Sequence, residues 1–157
     1  MDCSSRWQPC RGVSLLNSSS SLAIPFLVQG PLPPITEPNG KLQFLALHEN
    51  QLSGFISESL TNLREILHLD LSINSFTSTI PEKLAELTNL RYLHLAVNNF
   101  AQGTVPKFLI ELTNLRELGL KKTNLQGTIP EYIQYLSNLQ FLDFRKCPLW
   151  VQNLLWS

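Results

Sequence analysis

Residues 90–100 read Leu90-Arg91-Tyr92-Leu93-His94-Leu95-Ala96-Val97-Asn98-Asn99-Phe100. Leucines at 90, 93 and 95, an asparagine at 98 and an apolar residue at 100 recur elsewhere at a fixed interval. Upstream, the same slots hold Leu42, Leu45, Leu47, Asn50 and Leu52, then Ile66, Leu69, Leu71, Asn74 and Phe76. Downstream they hold Leu115, Leu118, Leu120, Thr123 and Leu125, then Leu139, Leu142, Phe144, Cys147 and Leu149. Successive asparagine slots are 24, 24, 25 and 24 residues apart, with the extra residue in the 101–104 turn, where a surface loop absorbs it at small entropic cost. A period in this range is the signature of a stacked repeat, because one copy cannot bury its own leucines.

Each slot has a physical task. Alternation around the second and third leucines predicts a short strand with side chains pointing inward and outward in turn. The asparagine turns the chain inward, where its amide can bond free backbone groups of adjacent coils; Thr123 and Cys147 can do so less completely. The second half of each copy carries Gly-x-Ile-Pro or a relative, at 54–57, 78–81, 103–106 and 127–130. Proline there suits an edge or the first turn of a short helix, since its missing N–H matters little at either place. Leucines such as Leu84, Leu87 and Leu90 then predict a helical turn packed behind the strand. Separate amphipathic helices would need a 3.6-residue period through each copy, and the Pro and Gly punctuation forbids it.

Composition narrows the function. The 157 residues include 12 basic and 12 acidic side chains, so the electrostatic footprint of a nucleic-acid binder is absent. Apolar residues at 43% and charged residues at 15% argue against wholesale disorder. No run of 18 apolar residues occurs, so no direct membrane insertion is expected in this segment. Three cysteines are too few for a disulfide-stapled scaffold.

The pattern L-x-x-L-x-L-x-x-N-x-L-x-G-x-I-P resembles the leucine-rich repeats of the plant type, over roughly residues 28–149. The resemblance implies an α/β solenoid, right-handed and curved, with a parallel inner sheet and short helical turns on the convex side. On this reading 41–149 holds five copies and 16–40 a decayed first coil. Gly30 aligns with Gly127, which puts Phe26 in the asparagine slot and Pro25 inside the strand, with Ser18–Ser21 as a flexible loop. Residues 1–15 resemble a degenerate N-terminal cap, from Cys3, Trp7 and the run Cys10-Arg11-Gly12-Val13-Ser14. In that family a cysteine pair closes the cap; here Leu15 stands where the second cysteine belongs and Trp7 precedes Cys10, so whether Cys3 and Cys10 pair stays open. Residues 150–157 form an apolar tail, either a crude cap, a surface for self-association, or the cut end of a longer protein; we favour the last. No secretory signal is evident, because Asp2 and two arginines occupy 1–12 and 13–28 is broken by Asn17 and five serines. Asn17-Ser18-Ser19 is the only glycosylation sequon.

In this family ligands usually bind the concave sheet, whose outward columns follow from the alignment. The first is Phe44, His68, Tyr92, Glu117 and Phe141; the second is Ala46, Asp70, His94, Gly119 and Asp143. The third is His48, Ser72, Ala96, Lys121 and Arg145, and the fourth Glu49, Ile73, Val97, Lys122 and Lys146. Phe44, Tyr92 and Phe141, with His68, supply the rigid aromatic area that interfaces favour. Lys121, Lys122, Arg145 and Lys146 gather positive charge on the last two coils, with Glu49 and Asp70 near the first, a polarity that orients a partner. Gly119 is expected to leave a gap between the halves. His68, Asp70 and His94 invite a metal or acid–base reading with Ser72, but a zinc site wants three or four converging ligands and a second shell. An open sheet offers neither water exclusion nor an oxyanion hole. No enzyme, metal or cofactor is therefore expected. The expected function is protein or peptide recognition by part of a receptor-like protein, extracellular or at the plasma membrane. Candidate contacts are Phe44, His68, Asp70, Tyr92, His94, Glu117, Lys121, Lys122, Phe141, Asp143 and Arg145. The alternatives are a secreted inhibitor of a cell-wall-degrading enzyme, or a truncated product with no selected ligand.

Overall fold

A computed structural model describes residues 21–23, 28–32, 34–35 and 41–150. Every Leu-x-Leu pair becomes a three-residue strand: β3 (Phe44–Ala46), β5 (His68–Asp70), β7 (Tyr92–His94), β8 (Glu117–Gly119) and β10 (Phe141–Asp143). With β1 (Ser21–Ala23) they form a six-stranded parallel sheet in the order β1-β3-β5-β7-β8-β10. The register places Phe44 beside His68, His68 beside Tyr92, Tyr92 beside Glu117, and Glu117 beside Phe141. That is the column read from the repeat. Shorter strands β2 (Gln29–Pro31), β4 (Gln51–Gly54) and β6 (Ser75–Phe76) make a second sheet, and β9 (Gly127–Thr128) pairs with β11 (Leu149–Trp150).

The first coil departs from expectation. Ser21, expected in a loop, opens β1 and pairs with Phe44, because the strand needs Ser21–Ala23 to complete the edge of the sheet. The rest of that loop, Pro25, Phe26, the cap with Cys3 and Cys10, and the tail from residue 151 lie outside the described residues. The alignment of Gly30 with Gly54 and Gly127 matches the backbone: all three take left-handed φ, at 91°, 78° and 96°. Glycine meets no Cβ penalty there, whereas Ser78 holds the same slot at φ 65°.

Convex to the sheet run four 3-10 turns, Glu58–Asn62, Glu82–Glu86, Lys107–Glu111 and Glu131–Tyr135. Three are entered through Pro81, Pro106 and Pro130, whose φ of −69°, −66° and −74° the ring supplies without strain. Ser57 enters the first, its Oγ accepting from the Ser59 N–H at 3.3 Å. Between sheet and turns lies one continuous core. Leu69, Leu71, Leu84, Leu90, Leu93, Leu95, Leu112 and Leu118 are within 1% of full burial, and each such leucine contributes roughly 1.5–3 kcal/mol.

Two asparagine ladders stitch coil to coil. In the inner ladder Asn74 Nδ2 donates to the carbonyls of Leu47, Leu71 and Ser72, while Oδ1 accepts from the Leu52 N–H. Asn50 and Asn98 repeat this, accepting from Val28 and Phe76. Thr123 keeps only a 2.7 Å donation to Leu120 and a 3.3 Å contact with Cys147 Sγ, and Asn124 Nδ2 reaches the Phe100 carbonyl at 2.7 Å beside it. The outer ladder was not foreseen. Asn89, Asn114 and Asn138 donate from the convex side to the carbonyls of Arg64, Thr88 and Thr113. Its signal was the recurring Leu-Thr/Ser-Asn-Leu at 87–90, 112–115 and 136–139.

Candidate functional site

The outward positions of the inner sheet build the candidate site. Alternation puts leucines beneath and the predicted columns above, so Phe44 is 41% exposed directly over buried Leu45. Three rings of the first column meet. Phe44 and His68 stack with centroids 6.0 Å apart, and His68 and Tyr92 lie tilted at 5.4 Å. The column then breaks, because Glu117 stands between Tyr92 and Phe141 in register. Phe141, half-exposed, is thus separated from the other aromatics that the sequence grouped with it.

The second column is where the chain differs most from its expected behaviour. His94 lies 5.6 Å from His68 by ring centroid. A Cβ added at Gly119 would meet the His94 ring at 3.6 Å, an ordinary contact, so the imidazole borders the space that glycine leaves. His94 Nε2 is buried without a hydrogen bond, and Glu117 Oε2 approaches it at 3.4 Å without closing one. His48 Nδ1 lies 3.5 Å from Asp70 Oδ2. Burial, reinforced by the neighbouring His94, lowers the His68 pKa from its ordinary value, against the opposing pull of Asp70 and Glu117.

Asp70 and Asp143 serve the backbone. Asp70 Oδ1 accepts from the Ser72 N–H at 3.0 Å and the Ser72 hydroxyl at 2.6 Å, closing a local turn. Asp143 accepts likewise from the Arg145 N–H at 3.0 Å, and both its oxygens receive the guanidinium, Nε at 2.9 Å and Nη2 at 2.8 Å. That two-pronged pairing with Arg145 holds the Asp143 carboxyl at about 2. Arg145 is therefore committed to its own coil. The positive patch reduces to Lys121, Lys122 and Lys146.

The fourth column does not belong to the strands. Glu49, Ile73, Val97, Lys122 and Lys146 all take left-handed φ, between 53° and 60°, one residue before each asparagine slot. This turn aims them along the rim of the sheet. Among the described residues no group of three or more His, Cys, Asp and Glu is placed to hold a metal, and no helix is long and apolar enough to cross a membrane.

The family model for Leucine Rich Repeat matches residues 41–63. Among solved structures, the plant peptide hormone receptor RGFR1 in complex with RGF2 is similar at 35% identity and TM-score 0.73, over 78% of this chain and 20% of that one. The ectodomain of the Arabidopsis receptor kinase HAESA, in complex with an IDA peptide hormone lengthened at its N-terminus, matches at 34% identity and TM-score 0.72, over 78% and 21%. The ectodomain of the receptor kinase SOBIR1 from Arabidopsis thaliana matches at 32% identity and TM-score 0.63, over 73% of this chain and 65% of that one. The chain thus spans about a fifth of the length of the first two receptors. No curated protein matches it in sequence.

Proposed function

The chain is a plant-type leucine-rich repeat protein, and from that premise we propose that it is a non-catalytic recognition module of a receptor-like protein. It binds a protein or peptide through the inner sheet. The observation that carries this reading is the uncovered row Phe44–His68–Tyr92, three rings in contact on a face where no element of the described chain lies over them. Rigid rings lose little entropy on contact and dominate interface energetics. Neighbours of the same fold include receptors solved with peptide hormones, which supports a peptide as the ligand class.

The test is a peptide-display selection against the chain, followed by affinity measurements on a combined Phe44→Ala, Tyr92→Ala and Phe141→Ala variant. Selected binders should lose at least about tenfold in affinity, which is 1.4 kcal/mol and modest for aromatic contacts. Unchanged affinity in a folded triple variant would place recognition elsewhere.

A further inference from the structure

Charge on the inner face is graded coil by coil. Counting coils from the copy that begins at Leu42 and with histidines neutral, Glu49 gives the first coil −1 and Asp70 gives the second −1, while the third carries no formal charge. On the fourth coil Glu117 is outnumbered by Lys121 and Lys122, and on the fifth Asp143 by Arg145 and Lys146, so each is +1. The apolar part of the rim falls on the second and third coils, where Ile73 and Val97 hold the same slot and the Ile73 N–H donates to the Ala96 carbonyl. Five strands spaced about 4.8 Å apart put the outer coils about 19 Å from one another. An extended chain covers that distance with about six residues.

We propose that the partner is an extended peptide lying across the strands, basic over the first two coils, apolar in the middle and acidic over the last two. This deepens the concave-face reading and rests on it. Opposite charges at the two ends fix direction and register, and the apolar centre meets Tyr92 and the rim. A second copy of this chain, turned end for end, is also complementary in charge. Two concave sheets, however, touch at their rims and leave the middle empty, so a slender segment fits better.

Three synthetic octapeptides of one composition test it: Lys-Arg-Val-Leu-Ala-Ala-Asp-Glu, its reversed sequence, and a form with basic and acidic residues alternating. Calorimetry at low salt should show one block-charged peptide binding about tenfold tighter than the alternating one, a margin that several partly screened charge pairs supply together. The margin should collapse at high salt and in a Glu49→Gln, Lys122→Gln, Lys146→Gln variant. All three positions are exposed, and an unchanged unfolding midpoint establishes that the variant folds. Equal binding of all three peptides, weakened by Tyr92→Ala, overturns the charge order while leaving concave-face recognition standing. Binding that Tyr92→Ala and Phe44→Ala leave untouched overturns both. Absence of binding, or a concentration-dependent dimer that the peptides cannot dissociate, overturns the peptide.

Discussion

Ile73 has φ 53° and is 44% exposed, an unusual combination for a β-branched side chain. The left-handed conformation costs an L-residue roughly 1–2 kcal/mol, least for Gly and Asn. The coil needs this turn to deliver Asn74 inward, so the asparagine's hydrogen bonds hold Ile73 in place. Ile73→Asn should therefore raise stability by about 0.5–1 kcal/mol, read as a higher urea midpoint. Asn74→Ala should have the opposite and larger effect. It strands the Leu52 N–H and removes one of the two amide donations to the Leu47 carbonyl, a loss of about 1–3 kcal/mol. The asparagine was legible in the sequence because its spacing is fixed. The conformation before it was not: Glu, Ile, Val, Lys and Lys share no chemistry, and only the backbone geometry unites them.

At the scale of the element, a strand three residues long has little stability of its own and depends on the layer beneath. Leu95→Asp places a carboxylate in a fully buried slot and should unfold the centre of the solenoid, seen as lost circular dichroism at room temperature. Tyr92→Ala, three residues earlier and facing outward, should leave the spectrum intact. The turn after β10 responds to acid. Asp143 titrates at about 2 in the fold against 3.8 unfolded, so the unfolded chain takes the proton first. Stability from the Arg145 pair is present above pH 3.8 and lost as pH falls toward 2. His68, also lowered, adds an earlier loss as pH falls through the ordinary imidazole range. His68→Gln should flatten the upper part of a melting-temperature series and leave the lower part; an unaltered upper part would refute the assignment. The strands and their register were readable because a period-two pattern repeated five times leaves one alignment. The closure of Asp143 on Arg145 was not. Both residues read as exposed polar positions, and only side-chain geometry shows that they satisfy each other.

At the scale of the whole molecule, contacts among the described elements run only between neighbouring coils: each strand pairs with the next and each 3-10 turn packs on the next. Stability then behaves as a sum of coil terms and nearest-neighbour interfaces. Coils two to four have a neighbour on both sides, and their leucines are almost wholly buried. In the fifth, Leu139, Leu142 and Phe144 are only partly covered. Its asparagine slot holds Cys147, whose Sγ donates one bond to the Leu120 carbonyl where Asn98 makes four across its coils. Thinner cover over its apolar residues and fewer stitches both lower the free energy of local opening in this coil. Amide exchange in the 157-residue polypeptide should therefore be slowest in β5 and β7 and faster in β10. Leu142→Asp should extend this difference, removing protection from residues 139–149 while β5 and β7 keep theirs. Leu95→Asp, by contrast, removes an interface on each side and should release protection across the molecule. If Leu142→Asp also collapsed protection in β5, the solenoid would be a single cooperative unit, and the nearest-neighbour description would not hold for a stack of this length.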